Sequence, residues 1–347
     1  MKVSVVGASG YTGGELLRML TAHPEFELHA ICANSNADEI ISNLHPALTN
    51  FSDRKFESVN IEKLNKSELI FLALPHGESG KIAKEISKDV KVVDLGSDHR
   101  LKDKAKWQQY YSGEYAEPWF YSIPELVDPK LLSKQIRVAN PGCYATAIAL
   151  AIAPAMKEID STDIVTVAAS GTTGAGRTAK VNLLGSEVMN NLSSYKFGGI
   201  HQHTPEIEQM LTDYQNSSDK SGAHKEVKIS FTPVLAPMPR GILATVTAKL
   251  LNAASSQDAN FFRSLFMDAY SKSAFVELLA KDQMPNTRAV LGTNKAHLQV
   301  AIDPHTSRLV ISCAIDNLGK GAAGQAIQNA NIMCGFAENT GLEQIGL

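Results

Sequence analysis

Apolar residues in the first 140 positions come in short runs of strand length, each followed by a stretch of mixed polarity long enough for a helix. Residues 2–6, rich in valine, form the first run, and residues 26–32, 68–74, 90–95 and 136–139 repeat it. Such runs read as strands buried on both faces. Between the first two, Leu16, Leu17 and Leu20 fall on one side of a helix. Strand alternating with helix predicts a parallel, doubly wound sheet, a Rossmann-type α/β domain. The series ends at the turn Pro141-Gly142, and residues 145–156 then carry an alanine-rich helical pattern.

Beyond about residue 157 the pattern changes. Residues 164–168, 227–231, 242–250, 297–302 and 309–315 read as longer strands with fewer helices between them. This predicts a second, α+β domain built on a mixed sheet. The polar, breaker-rich segment Gln215–Lys225 reads as an exposed loop, and residues 319–336 as a helix able to return to the first domain.

Composition narrows the class. A chain of 347 residues is long for one domain, and 44% hydrophobic with 20% charged residues is ordinary for a folded soluble protein. The net charge of -3 gives no reason to expect nucleic acid or an anionic membrane. Four scattered cysteines (Cys32, Cys143, Cys313, Cys334) without a C-x-x-C pair argue against a zinc site or a disulfide framework. The glycine turn comes too early for a signal peptide, and the longest apolar run, interrupted by Pro154, is too short to span a bilayer. A cytoplasmic protein is expected.

The chemistry concentrates at a few turns. Cys143 follows a strand and the Pro141-Gly142 turn and opens a helix. The helix dipole there favours a thiolate, so Cys143 is a candidate nucleophile, against the alternative of a buried structural thiol. Gly7-Ala8-Ser9-Gly10-Tyr11-Thr12-Gly13 follows the first strand and opens a helix, as a dinucleotide-binding turn does; the alternative is a tight turn without ligand. The second strand runs out through Cys32-Ala33-Asn34-Ser35-Asn36 with no acid before Asp38, which favours NADP over NAD. No Lys or Arg lies between Arg18 and Arg54, so a 2′-phosphate contact falls to Ser35, Asn34 or distant residues.

His201-Gln202-His203 in an extended segment would put both imidazoles on one face. No cysteine or carboxylate set completes a metal site, so a single histidine serving the thiol as acid–base is the better reading, with two solvated loop histidines as the alternative. Ser170-Gly171-Thr172-Thr173-Gly174-Ala175-Gly176-Arg177 suits either close approach to a ligand or a plain domain junction. Arg100, Arg177 and Arg240 sit among turn residues, where arginine clamps carboxylate or phosphate when it is not merely solvated. Glu206 is the acid nearest the histidine pair.

These motifs resemble the N-acetyl-γ-glutamyl-phosphate reductase family, and the resemblance covers nearly the whole chain. It rests on V-G-A-S-G-Y-T-G-G-E-L-L at 6–17, F-L-A-L-P-H-G at 71–77 and D-H-R-L at 98–101. It continues through A-N-P-G-C-Y-A-T at 139–146, S-G-T-T-G-A-G-R at 170–177 and H-Q-H-T-P-E-I at 201–207. P-R-G-I-L-A-T at 239–245 and A-I-D-N-L-G-K-G-A-A-G-Q-A at 314–326 complete it. The resemblance implies an NADP-binding domain over 1–142, completed by 318–347, and a catalytic and oligomerisation domain over 143–317. It implies Cys143 as nucleophile and His203 as acid–base, with no metal. NADP contacts would come from Gly7, Ser9, Gly10, Tyr11, Thr12, Gly13, Ser35, Pro75, Ser170, Gly171, Gly174 and Asn317, and substrate contacts from Arg100, Arg177 and Arg240. The resemblance further implies N-acetyl-glutamyl phosphate as a small-molecule substrate, reduced in arginine biosynthesis, and a homodimer or homotetramer. Two departures stand out: the family often has Arg beside the serine where this chain has Asn34-Ser35-Asn36, and commonly Phe where His99 stands. A dinucleotide-sensing protein without chemistry and a reductase of carrier-linked aminoadipyl phosphate are the rivals.

Overall fold

The computed structural model describes residues 1–218, 226–252, 254 and 257–346. The chain divides into two compact units. One comprises Met1–Pro141 with Ala322–Glu343, the other Gly142–Gly321 with the segment that begins at Gln344.

The first unit is built on six strands, β1 (Lys2–Val6), β2 (Glu27–Cys32), β3 (Leu69–Leu72), β4 (Lys91–Asp94), β5 (Phe120–Tyr121) and β6 (Arg137–Ala139). They lie in the order β2-β1-β3-β4-β6-β5, every pair parallel. The chain leaves β1 for β2 on one side and then crosses to β3 on the other, which puts the reversal at the carboxyl ends of β1 and β3. In open α/β sheets that crevice takes the ligand. All four residues of β3 are buried, as a strand covered on both faces requires. One side of the sheet packs Val6, Ala30, Ile70, Leu72 and Val92 with Leu64, Ile86 and Val90.

The second unit has seven strands, β7 (Ile159–Ser170), β8 (Ser193–Ser194), β9 (Ile229–Leu235), β10 (Ile242–Leu250), β11 (Val276–Leu278), β12 (Ala296–Asp303) and β13 (Arg308–Ile315). Their order is β11-β12-β13-β10-β7-β9-β8, with β7/β9 and β11/β12 parallel and the other pairs antiparallel. Residues of β10 alternate, with Ile242, Ala244, Val246, Ala248 and Leu250 turned to the core. On β7, Val165 and Val167 are exposed on the outward face.

The principal helices are α1 (Tyr11–Thr21), α2 (Cys143–Ile152), α3 (His203–Ser218), α4 (Ala259–Tyr270) and α5 (Gly324–Cys334). Helix α2 is buried from Tyr144 to Ile152 and packs against β10, β13 and α3. It stops at Ile152, where Pro154 allows only a tighter turn over Ala153–Ala155, so the helical pattern read as far as residue 156 ends sooner. The segment expected to be a loop from Gln215 continues α3 through Ser218, and residues 219–225 lie outside the described ones. Among the described residues no helix is long and apolar enough to cross a membrane.

Candidate active site

The turn before α2 is held from two sides. Gly142, the N-cap, is extended (φ -71°, ψ 152°) and aims Cys143 into the first helical position. Its N–H donates to Oε2 of Glu206, 3.1 Å away, a carboxylate with no solvent exposure. The imidazole of His203 lies against the Gly142 α-carbon: a methyl group there would collide with Nε2 and Cε1 and come within 2.8 Å of Cδ2. One turn of α3 therefore supplies both the imidazole beside the thiol-bearing turn and the carboxylate that fixes it. On the other side, Gly321 lies so near Cys143 that a methyl at 321 would come within 2.8 Å of the Cys143 Cβ.

Cys143 is half-buried, unlike two of the other cysteines, which are fully buried. Burial pushes the thiols of Cys32, Cys313 and Cys334 up to about 11, 12 and 11, which keeps them protonated and inert. At a helix N-terminus beside an imidazole, Cys143 has the surroundings of a reactive thiol.

The H-x-H pair is not extended. His203 starts α3, and its backbone N–H donates to Nδ1 of His201 at 3.0 Å. His201 therefore caps the helix as an acceptor and carries its proton on Nε2. Burial, and then the neighbouring His203, push His201 down to about 2, so it stays neutral. The rings meet edge to face, with centroids 4.8 Å apart, and Tyr144 and Phe231 close on His201 at 5.4 and 5.2 Å. The Tyr144 hydroxyl, its acidity suppressed by burial, shares a hydrogen bond of 3.0 Å with that of Tyr195. Of the two histidines, His203 is the one against the nucleophile's turn.

A second buried carboxylate, Asp316 just past β13, organises the wall beyond Gly321. It accepts Nε and Nη2 of Arg240 at 3.1 and 2.8 Å, the Leu318 N–H at 2.9 Å and the Gly292 N–H at 2.6 Å. Its backbone carbonyl accepts the Gly321 N–H at 2.9 Å. Asn317 accepts from Gly241 N–H at 2.8 Å and donates to Thr173 Oγ1 at 3.0 Å, tying the glycine-rich loop to the Pro239–Gly241 turn. Gly171 is needed there because Pro239 and Arg240 backbone atoms lie 2.8 Å from where its Cβ would stand. Ser170 is buried with its hydroxyl on the Gly171 carbonyl at 3.2 Å, while Gly174 and Arg177 are exposed. The roles of Glu206 and Asp316 are not readable from sequence spacing, because each acts on a turn far away along the chain.

In the first unit, Gly7 takes φ +87° and its α-carbon abuts the Ala73 carbonyl just past β3, so only glycine fits. Gly13 lies where any side chain would strike Gly7 and Ala8. Gly10 is different: a side chain there would meet only the Gly7 carbonyl oxygen, at 3.7 Å, and otherwise open space. It is the N-cap of α1 and offers no side-chain cap, while Ser9, Tyr11 and Thr12 are at least partly exposed. The first-turn amides of Tyr11, Thr12 and Gly13 lack intrahelical acceptors by geometry, which suits a diphosphate. Pro75 is exposed, three residues past the end of β3. The residues present fit a dinucleotide.

Ser35 is exposed on a single tight turn, Asn34–Asn36, after β2. Arg54 is engaged by the Leu28 and His29 carbonyls of β2, to which it donates at 3.2 and 2.9 Å. Arg100 is buried and donates to the Leu95 carbonyl at 2.7 Å, bracing the turn after β4. His99 stacks on Trp119 at 3.8 Å and 10°, an aromatic plate that packs as a phenylalanine there would. Among the described residues no group of His, Cys, Asp and Glu could hold a metal ion.

Residues 2–135 match the family described as semialdehyde dehydrogenase, NAD binding domain, and residues 143–317 match semialdehyde dehydrogenase, dimerisation domain. The chain is 49% identical to an N-acetyl-gamma-glutamyl-phosphate reductase of Acidothermus cellulolyticus, an alignment covering 100% of this chain and 98% of the relative. It is 47% identical to a protein of the same name from Salinispora tropica, over 100% and 99%. Among solved structures, aspartate semialdehyde dehydrogenase with NADP from Candida albicans superposes with a TM-score of 0.72 at 17% identity, covering 98% and 99% of the two chains. That likeness is one of fold.

Proposed function

The chain belongs to the N-acetyl-gamma-glutamyl-phosphate reductases of the semialdehyde dehydrogenase family, and from that premise we propose that it reduces N-acetyl-L-glutamyl 5-phosphate to N-acetyl-L-glutamate 5-semialdehyde and phosphate with NADPH, a step of arginine biosynthesis. The observation that carries this reading is Cys143 at the first position of α2 with the His203 ring against the preceding glycine.

The Cys143 thiolate attacks the acyl carbon; the carbon–oxygen bond to phosphate breaks, phosphate leaves, and a thioester forms. The thioester is a far better hydride acceptor than a carboxylate, and NADPH, when bound, would supply that hydride. The thiohemiacetal then collapses, its carbon–sulfur bond breaking to return the thiolate and release the aldehyde. His203 Nε2, beside the turn that carries the sulfur, holds and moves the protons. Glu206 keeps Gly142, and with it Cys143, in place.

Gly7, Ser9, Gly10, Tyr11, Thr12 and Gly13, with Ser35 and Pro75, would hold the cofactor, and Ser170, Gly171, Gly174 and Asn317 complete the proposed set. In this reading residues 1–142 with 318–347 bind NADP and 143–317 carry the chemistry. Of the three arginines proposed for the anionic ends of the substrate, Arg177 is exposed, whereas Arg100 is buried on the Leu95 carbonyl and Arg240 is paired with Asp316, so Arg177 is the better placed of them to receive an anion. Glu206 has no exposure and accepts the Gly142 amide, so it is not placed to receive a free α-ammonium, in keeping with an acetylated substrate. The exposed Val165 and Val167 face, within the part matching a dimerisation domain, supports a homodimer or homotetramer, and the kinship with biosynthetic reductases supports a cytoplasmic enzyme.

The test is phosphate-dependent reduction of NADP⁺ by N-acetylglutamate semialdehyde, run beside aspartate semialdehyde. Turnover of the acetylated aldehyde, with a modest preference for NADP⁺ over NAD⁺, is the expected result. Turnover of aspartate semialdehyde alone would overturn the assignment.

A further inference from the structure

Two adjacent glycines, Gly13 and Gly14, lie in the first turns of α1, and only Gly13 is explained by the packing of the dinucleotide loop. Glycine weakens a helix relative to alanine, so Gly14 needs its own reason. The reason is His45. A methyl group on Gly14 would stand 2.5, 2.7 and 3.1 Å from Cε1, Nδ1 and Nε2 of that imidazole. The ring reaches over α1 to place Nε2 at 2.9 Å from the Ala8 carbonyl oxygen, so Nε2 carries the proton and donates it.

The ring is fixed independently of that bond. It meets the buried Phe56 edge to face, with centroids 6.1 Å apart at 76°. Its backbone is pinned by His45 N–H to the Ile41 carbonyl and by Leu48 N–H to the His45 carbonyl, both at 2.9 Å. On the far side of the loop, the Gly7 and Ala8 N–H groups both donate to the Cys32 carbonyl, at 2.9 and 3.0 Å. The Ala8 residue is thus gripped at its amide by β2 and at its carbonyl by His45. In a trans peptide the carbonyl and the following N–H point in opposite directions. Holding the Ala8 carbonyl toward His45 therefore turns the Ser9 N–H away from it.

We propose that His45 is a positioning residue for cofactor binding: it sets the Ala8–Ser9 peptide so that the loop's amides are arranged for a dinucleotide diphosphate before the ligand arrives, and Gly14 is glycine to admit its ring. This rests on the reading that residues 7–13 hold NADP. It gives the segment after β2 a task that reaches back to the first βα turn, from more than thirty residues along the chain.

The experiment is calorimetric titration of the full-length apoenzyme with NADP⁺. His45→Ala should weaken binding about tenfold, the upper range for one lost hydrogen bond. Gly14→Ala, a substitution that favours the helix and so preserves folding, should weaken it comparably by pushing the ring off Ala8. In the double variant the clash is gone, so Gly14→Ala should add nothing to His45→Ala. His45→Gln, which keeps an N–H donor, should recover part of the loss. Alkylation of Cys143 by iodoacetamide in the cofactor-free protein should proceed at the wild-type rate in every variant. Wild-type affinity in His45→Ala, or additive effects of the two substitutions, overturns the inference. Failure of the wild-type chain to bind NADP⁺ overturns the cofactor reading and the inference with it.

Discussion

Gly142→Ala isolates the contact between His203 and the nucleophile's turn. The backbone at Gly142 (φ -71°, ψ 152°) is open to any residue, so alanine adds no torsional strain. What it adds is a methyl group overlapping Nε2 and Cε1 of His203 and 2.8 Å from Cδ2. Carbon contacts settle near 3.5–4.0 Å, so the ring must retreat by roughly 1 Å. A displacement of that size costs about a hundredfold in rate, close to 2.7 kcal/mol of transition-state stabilisation. Overpacking should also lower stability by about 1–3 kcal/mol. The expected result is a kcat down about two orders of magnitude, with NADP⁺ affinity preserved and a melting temperature a few degrees lower. Combined with His203→Asn the loss should not grow further, because both changes remove the same imidazole from its place. Steady-state kinetics beside calorimetric NADP⁺ titration would check it. A folded Gly142→Ala enzyme with most of its kcat would refute the placement of His203 at the reacting atoms.

Cys143→Ser should lose nearly all turnover while still binding cofactor, since a hydroxyl is far less acidic than a thiol; a serine variant of substantial activity would exclude the thioester. His203→Asn should depress kcat by roughly two to four orders of magnitude, whereas His201→Asn should be milder, because asparagine can still accept the His203 amide; the reverse ranking would mean the wrong imidazole has been assigned. Asp94, fully buried at the end of β4, is pushed by burial from 3.8 up to about 7. The folded protein then holds a proton that the unfolded chain has lost, so Asp94 erodes stability as pH climbs from about 4 to about 7. Asp94→Asn should consequently gain in melting temperature relative to wild type between pH 5 and pH 8, and a pH-independent difference would contradict this.

What the sequence disclosed depended on distance along the chain. The glycine turn, the Leu16, Leu17 and Leu20 stripe and the buried β3 are local patterns, and each lies where periodicity predicts it. β5 and β8, two residues each, are too short to leave a period. The H-x-H segment opens a helix instead of running extended, and Pro205 in the first turn with Ile207, Met210 and Leu211 at helical spacing is the signal that announces it. Glu206 and Asp316 could not have been assigned their roles, because the groups they bind, Gly142 and Arg240, are 64 and 76 residues away. Local chemistry is written in neighbouring letters, but the supports that aim it come from folding.

Gly321 and the helix that follows it have a consequence in time. The wall against Cys143 and the last helix of the parallel-sheet unit are encoded late in the message, whereas the thiol and the six strands of that sheet are made first. At ribosomal speeds of about 5–20 residues per second, a growing chain carries Cys143 without its backing for about 9 to 36 seconds. The parallel-sheet unit in turn lacks its last helix until after Gly321 has been made. A prematurely terminated product ending before residue 316 would contain every proposed catalytic group and still lack the Asp316–Gly321 wall that backs Cys143, so possession of the reacting side chains and possession of the site are reached at different moments of synthesis.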